Sequence, residues 1–469
     1  MRRARRRHDA FAIRIAAGIG ALVAAAVLPA RAARANGAFP DSQSILAPAA
    51  LPREISVVTN FGVVRSGDGG QTWLWSCEQM ANALGYLYQY GAAPRNRLFA
   101  IANEKLVHSD DNACGWQVAG GMMTGLAATD FFPDPANADR VLAVAFNYDT
   151  SAYSVLQSGD GGATFGTVVY AGAPKEAVTG VESAAASPRT IYLTTTAAIT
   201  NAPMLGRSTD GGLNWGWTDL SPTLGAGTPR IIAIDPHDAQ KVLLLFKGTS
   251  MQSLALTRDG GKTVTLSLAD GNYFTSYART AGGTILIGGS NAAGDAALYR
   301  SHDGGMTFEP VTTQLPHIRG LAARGGTVHA ATDNFGDGYA LGVSTDEGTT
   351  WQPLMSYDQV AAIAGCLKAS CQTVCAQEVV VGLWPAATCT ADPPAASQDA
   401  GAGPADAGPG GVTDAGATGG HGGQKPPSSG GGGCAVAPGR ATGWLAGLGT
   451  LAWFVTRRRR RREPATRSH

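Results

Sequence analysis

Charged residues are scarce in this chain, at 15% of 469 residues, whereas soluble domains usually carry about a quarter. The sequence also lacks a Gly-x-Ser-x-Gly nucleophile elbow, a phosphate-binding loop and a dinucleotide fingerprint. Its eight histidines are scattered, and none stands with other histidines or cysteines at zinc-site spacing. We therefore expect no cofactor, no metal and no catalytic residue that a motif would identify.

The formal net charge of +1 conceals an acidic central region. Eight arginines precede Asn36 and eight more lie at or beyond Arg440. Between Asn36 and Cys434 there remain 20 basic and 33 acidic residues, a net charge of −13. Because such a surface repels phosphate backbones, nucleic acid is excluded as an expected partner.

One short pattern occurs seven times at nearly even spacing. Its first copy is Ser66-Gly-Asp68-Gly-Gly70-Gln-Thr72-Trp73, and the others begin at Ser109, Ser158, Ser208, Thr257, Ser301 and Ser344. Successive starts are 43, 49, 50, 49, 44 and 43 residues apart. A period of about 40–50 residues indicates a repeat architecture with one supersecondary unit per copy.

Each copy predicts a hairpin turn. The Asp accepts backbone hydrogen bonds as in Asx turns, the Gly pair supplies positive φ, and the closing Thr and aromatic residue favour a strand. Short apolar runs such as 231–234 and 242–246, separated by turn residues, indicate antiparallel strands. Three strands before each turn and one after it give seven four-stranded sheets. The predicted fold is therefore all-β, a single seven-bladed β-propeller.

The pattern resembles the Asp-box, or BNR, repeat of β-propellers, over about residues 41–357. The resemblance implies a structural role, at the outer rim, for the seven aspartates and the closing tryptophans, namely Asp68, Asp111, Asp160, Asp210, Asp259, Asp303, Asp346, Trp73, Trp116, Trp215 and Trp351. Several copies depart from it, and we expect looser turns at Ala113, Gly115, Asn214, Val264 and Glu347.

The N-terminus predicts export. Five of the first seven residues are arginine, an apolar run follows over 15–28, and Ala33-Arg-Ala35 is the best cleavage site. The alternative is a retained membrane helix, although the apolar run is short for a membrane span.

The C-terminus predicts attachment to a membrane. A Gly-, Ala- and Pro-rich stretch ends at Gly433 and is typical of a disordered linker. Cys434, an apolar segment over 435–456 and six arginines over 457–462 follow. This order resembles the MYXO-CTERM sorting tail of surface proteins, which implies processing by a protease of the myxosortase kind and anchoring through Cys434 at the cell surface or outer membrane. The alternative is a permanent single-pass anchor.

The chain has seven cysteines, and an even number, six, remains once Cys434 is assigned to sorting. In an exported protein we expect these six to form disulfides. A bridge between Cys77 and Cys114 is plausible because the two lie in neighbouring blades. Cys366, Cys371, Cys375 and Cys389 allow three pairings, and we expect them to staple a small cap. A zinc site is the alternative, but the spacing is wrong and no histidine lies nearby.

These predictions divide the chain into five parts: a signal peptide (1–35), the propeller (36–357), a Cys-rich disulfide cap (358–391), a disordered linker (392–433), and the sorting tail with its transmembrane helix (434–469). The function that they favour is a surface-displayed, non-catalytic binding or scaffold module for an unknown protein or glycan. Tyr86, Tyr88 and Tyr90 are candidate contact residues, with an ordinary strand face as the alternative.

The alternative function is a glycoside hydrolase, because the repeat resembles those of sialidases and xyloglucan-type endoglucanases. The Arg-Ile-Pro opening of sialidases is absent, since the region reads Leu51-Pro-Arg-Glu-Ile55. Asp130 and Asp235 are the only carboxylates that we would test for catalysis, and both are expected to cap turns. The segment from Asp333 to Gly338 has the residues for a calcium loop, but a solvated loop is the favoured interpretation.

Overall fold

A computed structural model describes residues 40–77, 85–197, 199–249, 251–269, 273–291 and 295–394. Within these ranges the chain forms seven blades of four antiparallel strands each, and a fifth strand from the C-terminal segment is added in parallel to the first blade. The predicted all-β, seven-bladed propeller of four-stranded blades is confirmed.

The strands are numbered in chain order. They are β1 (Ser42–Leu46), β2 (Ile55–Thr59), β3 (Gly62–Ser66), β4 (Trp73–Cys77), β5 (Gly85–Tyr90), β6 (Leu98–Ala102), β7 (Lys105–Ser109), β8 (Gln117–Val118), β9 (Gly120–Gly121), β10 (Ala127–Pro133), β11 (Val141–Asn147), β12 (Ala152–Ser158), β13 (Thr164–Phe165), β14 (Thr167–Ala171), β15 (Glu176–Ala184), β16 (Ser187–Ala197), β17 (Pro203–Ser208), β18 (Gly216–Asp219), β19 (Thr228–Asp235), β20 (Asp238–Lys247), β21 (Gln252–Thr257), β22 (Thr265–Ala269), β23 (Tyr273–Arg279), β24 (Ile285–Ser290), β25 (Ala296–Ser301), β26 (Glu309–Pro310), β27 (Gly320–Arg324), β28 (Thr327–Ala331), β29 (Leu341–Ser344), β30 (Gln352–Met355) and β31 (Val360–Ile363).

Blades 1 to 7 consist, in order, of β1–β4, β5–β8, β10–β12 with β14, β15–β18, β19–β22, β23–β26 and β27–β30. The short strands β9 and β13 pair in parallel between blades 2 and 3. Two α-helices lie within the described residues, α1 (Ser221–Leu224) and α2 (Lys368–Val380). Single 3-10 turns occur at Tyr357–Gln359, Gly365–Leu367 and Ala386–Cys389.

The second strand of each blade is largely buried, because neighbouring blades cover both of its faces. In β11 the five residues Val141 to Ala145 are all buried. Such strands are continuous apolar runs, whereas a strand with one solvated face would alternate apolar and polar residues. The core is therefore a ring of apolar layers between successive blades.

The seven repeated turns join the third and fourth strands and share one hydrogen-bond network. In blade 1 the Ser66 hydroxyl donates to Asp68 Oδ1 at 2.7 Å and accepts from Gly70 N–H at 2.8 Å. The Thr72 hydroxyl donates to Asp68 Oδ2 at 2.5 Å. In blade 5 the equivalent N–H and hydroxyl donors of Thr263 lower the pKa of Asp259 to about 2. Each network satisfies the Asp within its own turn.

The departures from the pattern have different consequences. Asn214 does not loosen the fourth turn, because its side-chain amide donates to Asp210 Oδ2 at 2.7 Å where the other turns use a threonine. Gly115 has no side chain to donate, so Asp111 Oδ1 accepts the Gly115 N–H at 2.7 Å and the Ser109 hydroxyl at 2.8 Å. Ala113 and Glu347 adopt positive φ angles of 67° and 56°, a conformation that favours glycine.

Blade topology places these turns at the outer rim. In every blade the third strand runs parallel to the innermost strand, because each pairs antiparallel with the strand between them. The repeated turns and the loops after the innermost strands therefore lie on the same face of the propeller. The turns lie far out on that face, and the innermost loops surround the central channel.

The C-terminal segment, residues 357–391, covers the outer edge of blade 1. Its strand β31 pairs in parallel with β4, the outermost strand of that blade. Leu367, Leu383 and Trp384 are buried in one apolar cluster with Trp75 and with residues of blade 7. The expected cap is thus a segment on the rim that packs against both blade 7 and blade 1.

Three disulfides fix this segment. They join Cys77 to Cys371, Cys114 to Cys366 and Cys375 to Cys389. All six predicted cysteines are therefore bonded, but the expected bridge between Cys77 and Cys114 is wrong. The expectation that the other four cysteines pair with one another is wrong as well, because only Cys375 and Cys389 do so. Cys77 ends a fourth strand and Cys114 lies in a turn after a third strand, so topology places them on opposite faces.

Side chains and backbone complete the junction between blades 7 and 1. Arg324 of β27 donates to the Glu54 carbonyl at 2.6 Å, and Ser42 shares a hydrogen bond of 2.7 Å with Tyr357. Gly320 lies so close to β1 that a Cβ there would stand 2.6 Å from Ser44 Cα. No side chain larger than glycine fits at this position without movement.

Several predicted segments lie outside the described residues. These are the signal peptide, nearly all of the linker, and the tail with Cys434. Within the described residues no helix has the length and apolarity to cross a membrane.

The rim position two residues after the turn aromatic provides a matched stability test. Trp75 is fully buried, whereas Trp217, at the equivalent position of blade 4, is 36% exposed. Trp75→Ala should lower the free energy of unfolding by about 3–5 kcal/mol, because it removes a buried aromatic side chain. Trp217→Ala should cost clearly less. Urea unfolding measures both, and equal losses would contradict the burial described here.

Candidate functional site

The central channel opens into a cavity of about 850 Å³ on the face that carries the repeated turns. The ends of β10, β15, β19, β23 and β27 and the loops after them form most of its wall. A narrower cavity of about 160 Å³ shares Gln89, Phe132, Glu182 and Ile232 with this mouth and includes Asp130 and Arg230. Blades 2, 3, 4 and 5 contribute to both cavities.

The mouth combines apolar and polar groups. Phe132 and Ile232 supply apolar surface, and Tyr277 and Arg279 come from blade 6. Arg279 is paired with Asp235, Nη1 to Oδ2 at 2.8 Å. Burial opposes ionisation of Asp235, but hydrogen bonds from Arg279 and from the His237 N–H outweigh it and lower the Asp235 pKa. Burial raises the pKa of Tyr277 to about 12, so its hydroxyl keeps its proton.

Two carboxyl groups with different pKa values line the smaller cavity, and one of them, Glu182, also lines the mouth. Burial raises the pKa of Glu182 to about 8, and the negative charge of Asp130 adds to the shift. Burial also raises the pKa of Asp130, to about 6, although the charge of Arg230 opposes it. Glu182 therefore keeps its proton to a higher pH than Asp130 does. A protonated carboxyl donates a hydrogen bond, and a carboxylate accepts one.

The structure gives different roles to Asp130 and Asp235, the two carboxylates that the sequence suggested for a catalytic test. Asp235 does cap its turn, since it accepts the His237 N–H at 2.9 Å. The expected cap at Asp130 is wrong. Its carboxylate instead accepts the N–H of Val181, at 3.2 Å on the next blade. Asp134 caps the turn and accepts the Ala136 N–H at 2.8 Å.

Sequence reasoning missed Glu182. It lies in β15 among small and apolar residues, and no motif surrounds it. Its raised pKa arises because several innermost strands converge on it, and those contacts are not local in the sequence. A glutamate in the middle of a strand of mostly small and apolar residues was the only available signal.

The carboxylates of the candidate calcium loop are already held by hydrogen bonds within the fold. Asp333 accepts the N–H groups of Phe335 and Gly336, and Asp337 accepts that of His317, so the calcium-loop carboxylates are bound by backbone donors. Within the described residues no group of three or more metal-ligating side chains occurs.

The tyrosine candidates for ligand contact are also packed into the fold. Tyr88 is buried against Trp116, with ring centroids 6.0 Å apart. Tyr90 lies against Ser56 and Glu54 of blade 1. The alternative interpretation, a strand face, is therefore correct for these two, and the Tyr86 side chain lies outside the described residues.

The sequence matches no protein-family profile and no curated protein. Solved structures resemble its fold. A GH74 xyloglucanase from Xanthomonas campestris is 15% identical over 67% of this chain and 58% of that chain, with a TM-score of 0.38. YCF48 from Cyanidioschyzon merolae is 13% identical over 66% and 96%, with a TM-score of 0.43.

PorZ, a bacterial surface component of the type-IX secretion system of Porphyromonas gingivalis, is 13% identical over 67% of this chain and 38% of that chain, with a TM-score of 0.44. This chain thus spans little more than half of the xyloglucanase. The likeness concerns the propeller fold alone.

The raised pKa of Glu182 predicts a pH-dependent stability. Because the folded pKa of about 8 exceeds the ordinary 4.5, the folded state keeps a proton that the unfolded state loses. The contribution of Glu182 is therefore most favourable below pH 4.5 and declines as the pH rises toward 8, by at most about 1.4 kcal/mol per pH unit. Glu182→Gln lacks this titration, so its stability relative to wild type should increase from pH 4.5 to 8.

Urea unfolding across this pH range measures the effect. Asp149→Asn, on an exposed hairpin, is the control and should follow wild type at every pH. Parallel pH profiles for Glu182→Gln and wild type would show that Glu182 titrates normally.

Proposed function

We propose that this chain is an exported, cell-surface β-propeller that binds a ligand without transforming it, at the mouth of its channel. The mouth cavity carries the proposal. Its volume of about 850 Å³ lies within the range of about 300–1,000 Å³ typical of ligand sites. Five blades form most of its wall, so the site is largely preformed.

The chemistry of the mouth suits a ligand with both apolar and polar faces, such as a glycan or a protein loop. Phe132 and Ile232 offer apolar contact, while Glu182 supplies a hydrogen-bond donor when it is protonated. The charges of Arg279 and Asp235 compensate each other, so the site does not demand a strongly charged ligand.

Export and anchoring are part of this proposal. Three disulfides are typical of oxidising compartments. The N-terminal signal, the linker and the tail would then display the propeller at the surface, with Cys434 as the sorting residue for a myxosortase-type protease. The mass of the mature protein tests this step, since a retained Arg cluster at 457–462 would contradict processing.

The alternative is a glycoside hydrolase. Glu182 and Asp130 favour it, because an acid and a base need pKa values that the site drives apart. The volume of the cavity around Asp130 argues against a glycoside hydrolase. Asp130 lines only the cavity of about 160 Å³, which is smaller than typical ligand sites. A sugar in the mouth would contact Glu182 without its partner carboxylate.

A matched pair of tryptophan substitutions tests the site. Ala281→Trp fills the mouth from an exposed loop, whereas Lys247→Trp adds the same side chain to an exposed hairpin on the opposite face. On a glycan array, and in pull-downs with envelope proteins, the first variant should lose at least about 90% of wild-type binding because its ring occupies the ligand volume. The second should bind as wild type.

Equal binding by both variants would place the site elsewhere. Release of reducing sugar from an array ligand, abolished by Glu182→Gln, would favour the hydrolase instead.

A further inference from the structure

Blades 1 and 4 share a feature that the other blades lack. After the repeated turn, blade 1 continues Trp73-Leu-Trp75 and blade 4 continues Trp215-Gly-Trp217. The second aromatic position holds other residue types in the remaining blades, namely Val118, Thr167, Leu266, Pro310 and Pro353. The two tryptophan pairs therefore invite direct comparison.

In blade 1 the chain itself covers this position. Strand β31 lies parallel to β4, with Ile363 paired to Trp75. The Ala364 N–H donates to the Trp75 carbonyl at 2.8 Å. The ring of Trp384 stands 4.9 Å from that of Trp75, centroid to centroid, and Trp75 is fully buried. An added strand and an aromatic side chain together complete the edge.

In blade 4 the same surface is open. Trp217 is 36% exposed. Its ring lies on Gly206, where a Cβ would stand 2.7 Å from the ring. It also stacks on Trp215, with centroids 6.1 Å apart and an interplanar angle of 29°, and contacts Tyr170 at 5.4 Å. These contacts hold the indole in place beside solvent.

The backbone of this edge is also available for pairing. The Leu220 N–H donates inward to the Pro203 carbonyl at 3.0 Å, and the β17–β18 register is regular. Since bonded residues alternate along an antiparallel strand, the N–H and C=O groups of Trp217 and Asp219 point outward. Trp75 points its carbonyl to β31 from the equivalent position. Among the described residues, no strand pairs with the outer side of β18.

We infer that the outer edge of blade 4 is a docking site for an extended segment of a partner polypeptide. The segment pairs in parallel with β18, as β31 does with β4, and places an aromatic side chain against Trp217. Main-chain hydrogen bonds give such strand addition its affinity, and side-chain pockets give it specificity. The exposed ring of Trp217, held against Trp215 and Tyr170, supplies the anchor.

The linker and the C-terminal segment do not supply the occupant. Residues 395–433 contain no aromatic residue, and residues 357–391 already cover blade 1. The other rim edges differ in ways that oppose pairing. Blades 6 and 7 carry Pro310 and Pro353 in their outermost strands, and proline lacks the N–H that a ladder needs. Blade 5 has Leu266 but no aromatic residue in β22.

A displayed library of random peptides about twelve residues long, selected on the disulfide-bonded full chain, tests the inference. Selected peptides should contain aromatic residues and bind Trp217→Ala about tenfold more weakly than wild type. Asp219→Pro, which removes an outward N–H, should weaken them similarly. Leu266→Ala is the matched control at the equivalent position of blade 5 and should bind as wild type.

Amide exchange distinguishes strand pairing from simple ring contact. In the complex the Trp217 and Asp219 amides should exchange more slowly, because their outward N–H groups become bonded. The inference is overturned if no peptide binds above background, if the selected peptides ignore both blade 4 variants, or if these two amides stay unprotected. It is equally overturned if Trp217→Ala abolishes binding of an array glycan rather than of the peptides, because the surface is then a sugar site.

Discussion

The structure depends on how its ring of blades is closed. Each blade takes its four antiparallel strands from one stretch of the chain, so blade 7 contains no strand from the N-terminal part of the chain. The junction of blades 7 and 1 is therefore held by side chains and by the C-terminal segment. Strand β31 and the Cys77–Cys371 disulfide attach that segment to blade 1. The disulfide spans 294 residues, and in the chain-entropy view it contributes on the order of 5 kcal/mol.

A closed ring allows the channel to hold groups that water would otherwise solvate. The raised pKa values of Glu182 and Asp130 require several innermost strands to stay together. The same closure gives the mouth a fixed shape, which a binding site needs. Loss of the junction would thus relax both the carboxyl pair and the cavity.

The sequence predicted the features that are local. Each repeated turn is a network within eight residues, so the spacing of the turns was enough to predict seven blades. The disulfide pairing was not local, because it depends on where the chain runs after Tyr357. The expected Cys77–Cys114 bridge failed for that reason. Glu182 was missed because its environment comes from blades far apart in sequence, and Asp130 was found but given the wrong partner.

Hydrogen–deuterium exchange of the intact chain, with and without reduction of the disulfides, tests ring closure most directly. If the C-terminal segment closes the ring, reduction should accelerate exchange at β1 and β27, which meet at the junction, far more than at β15 and β19 on blades 4 and 5. Equal acceleration at both places, or none at the junction, would contradict this account of how the propeller is held together.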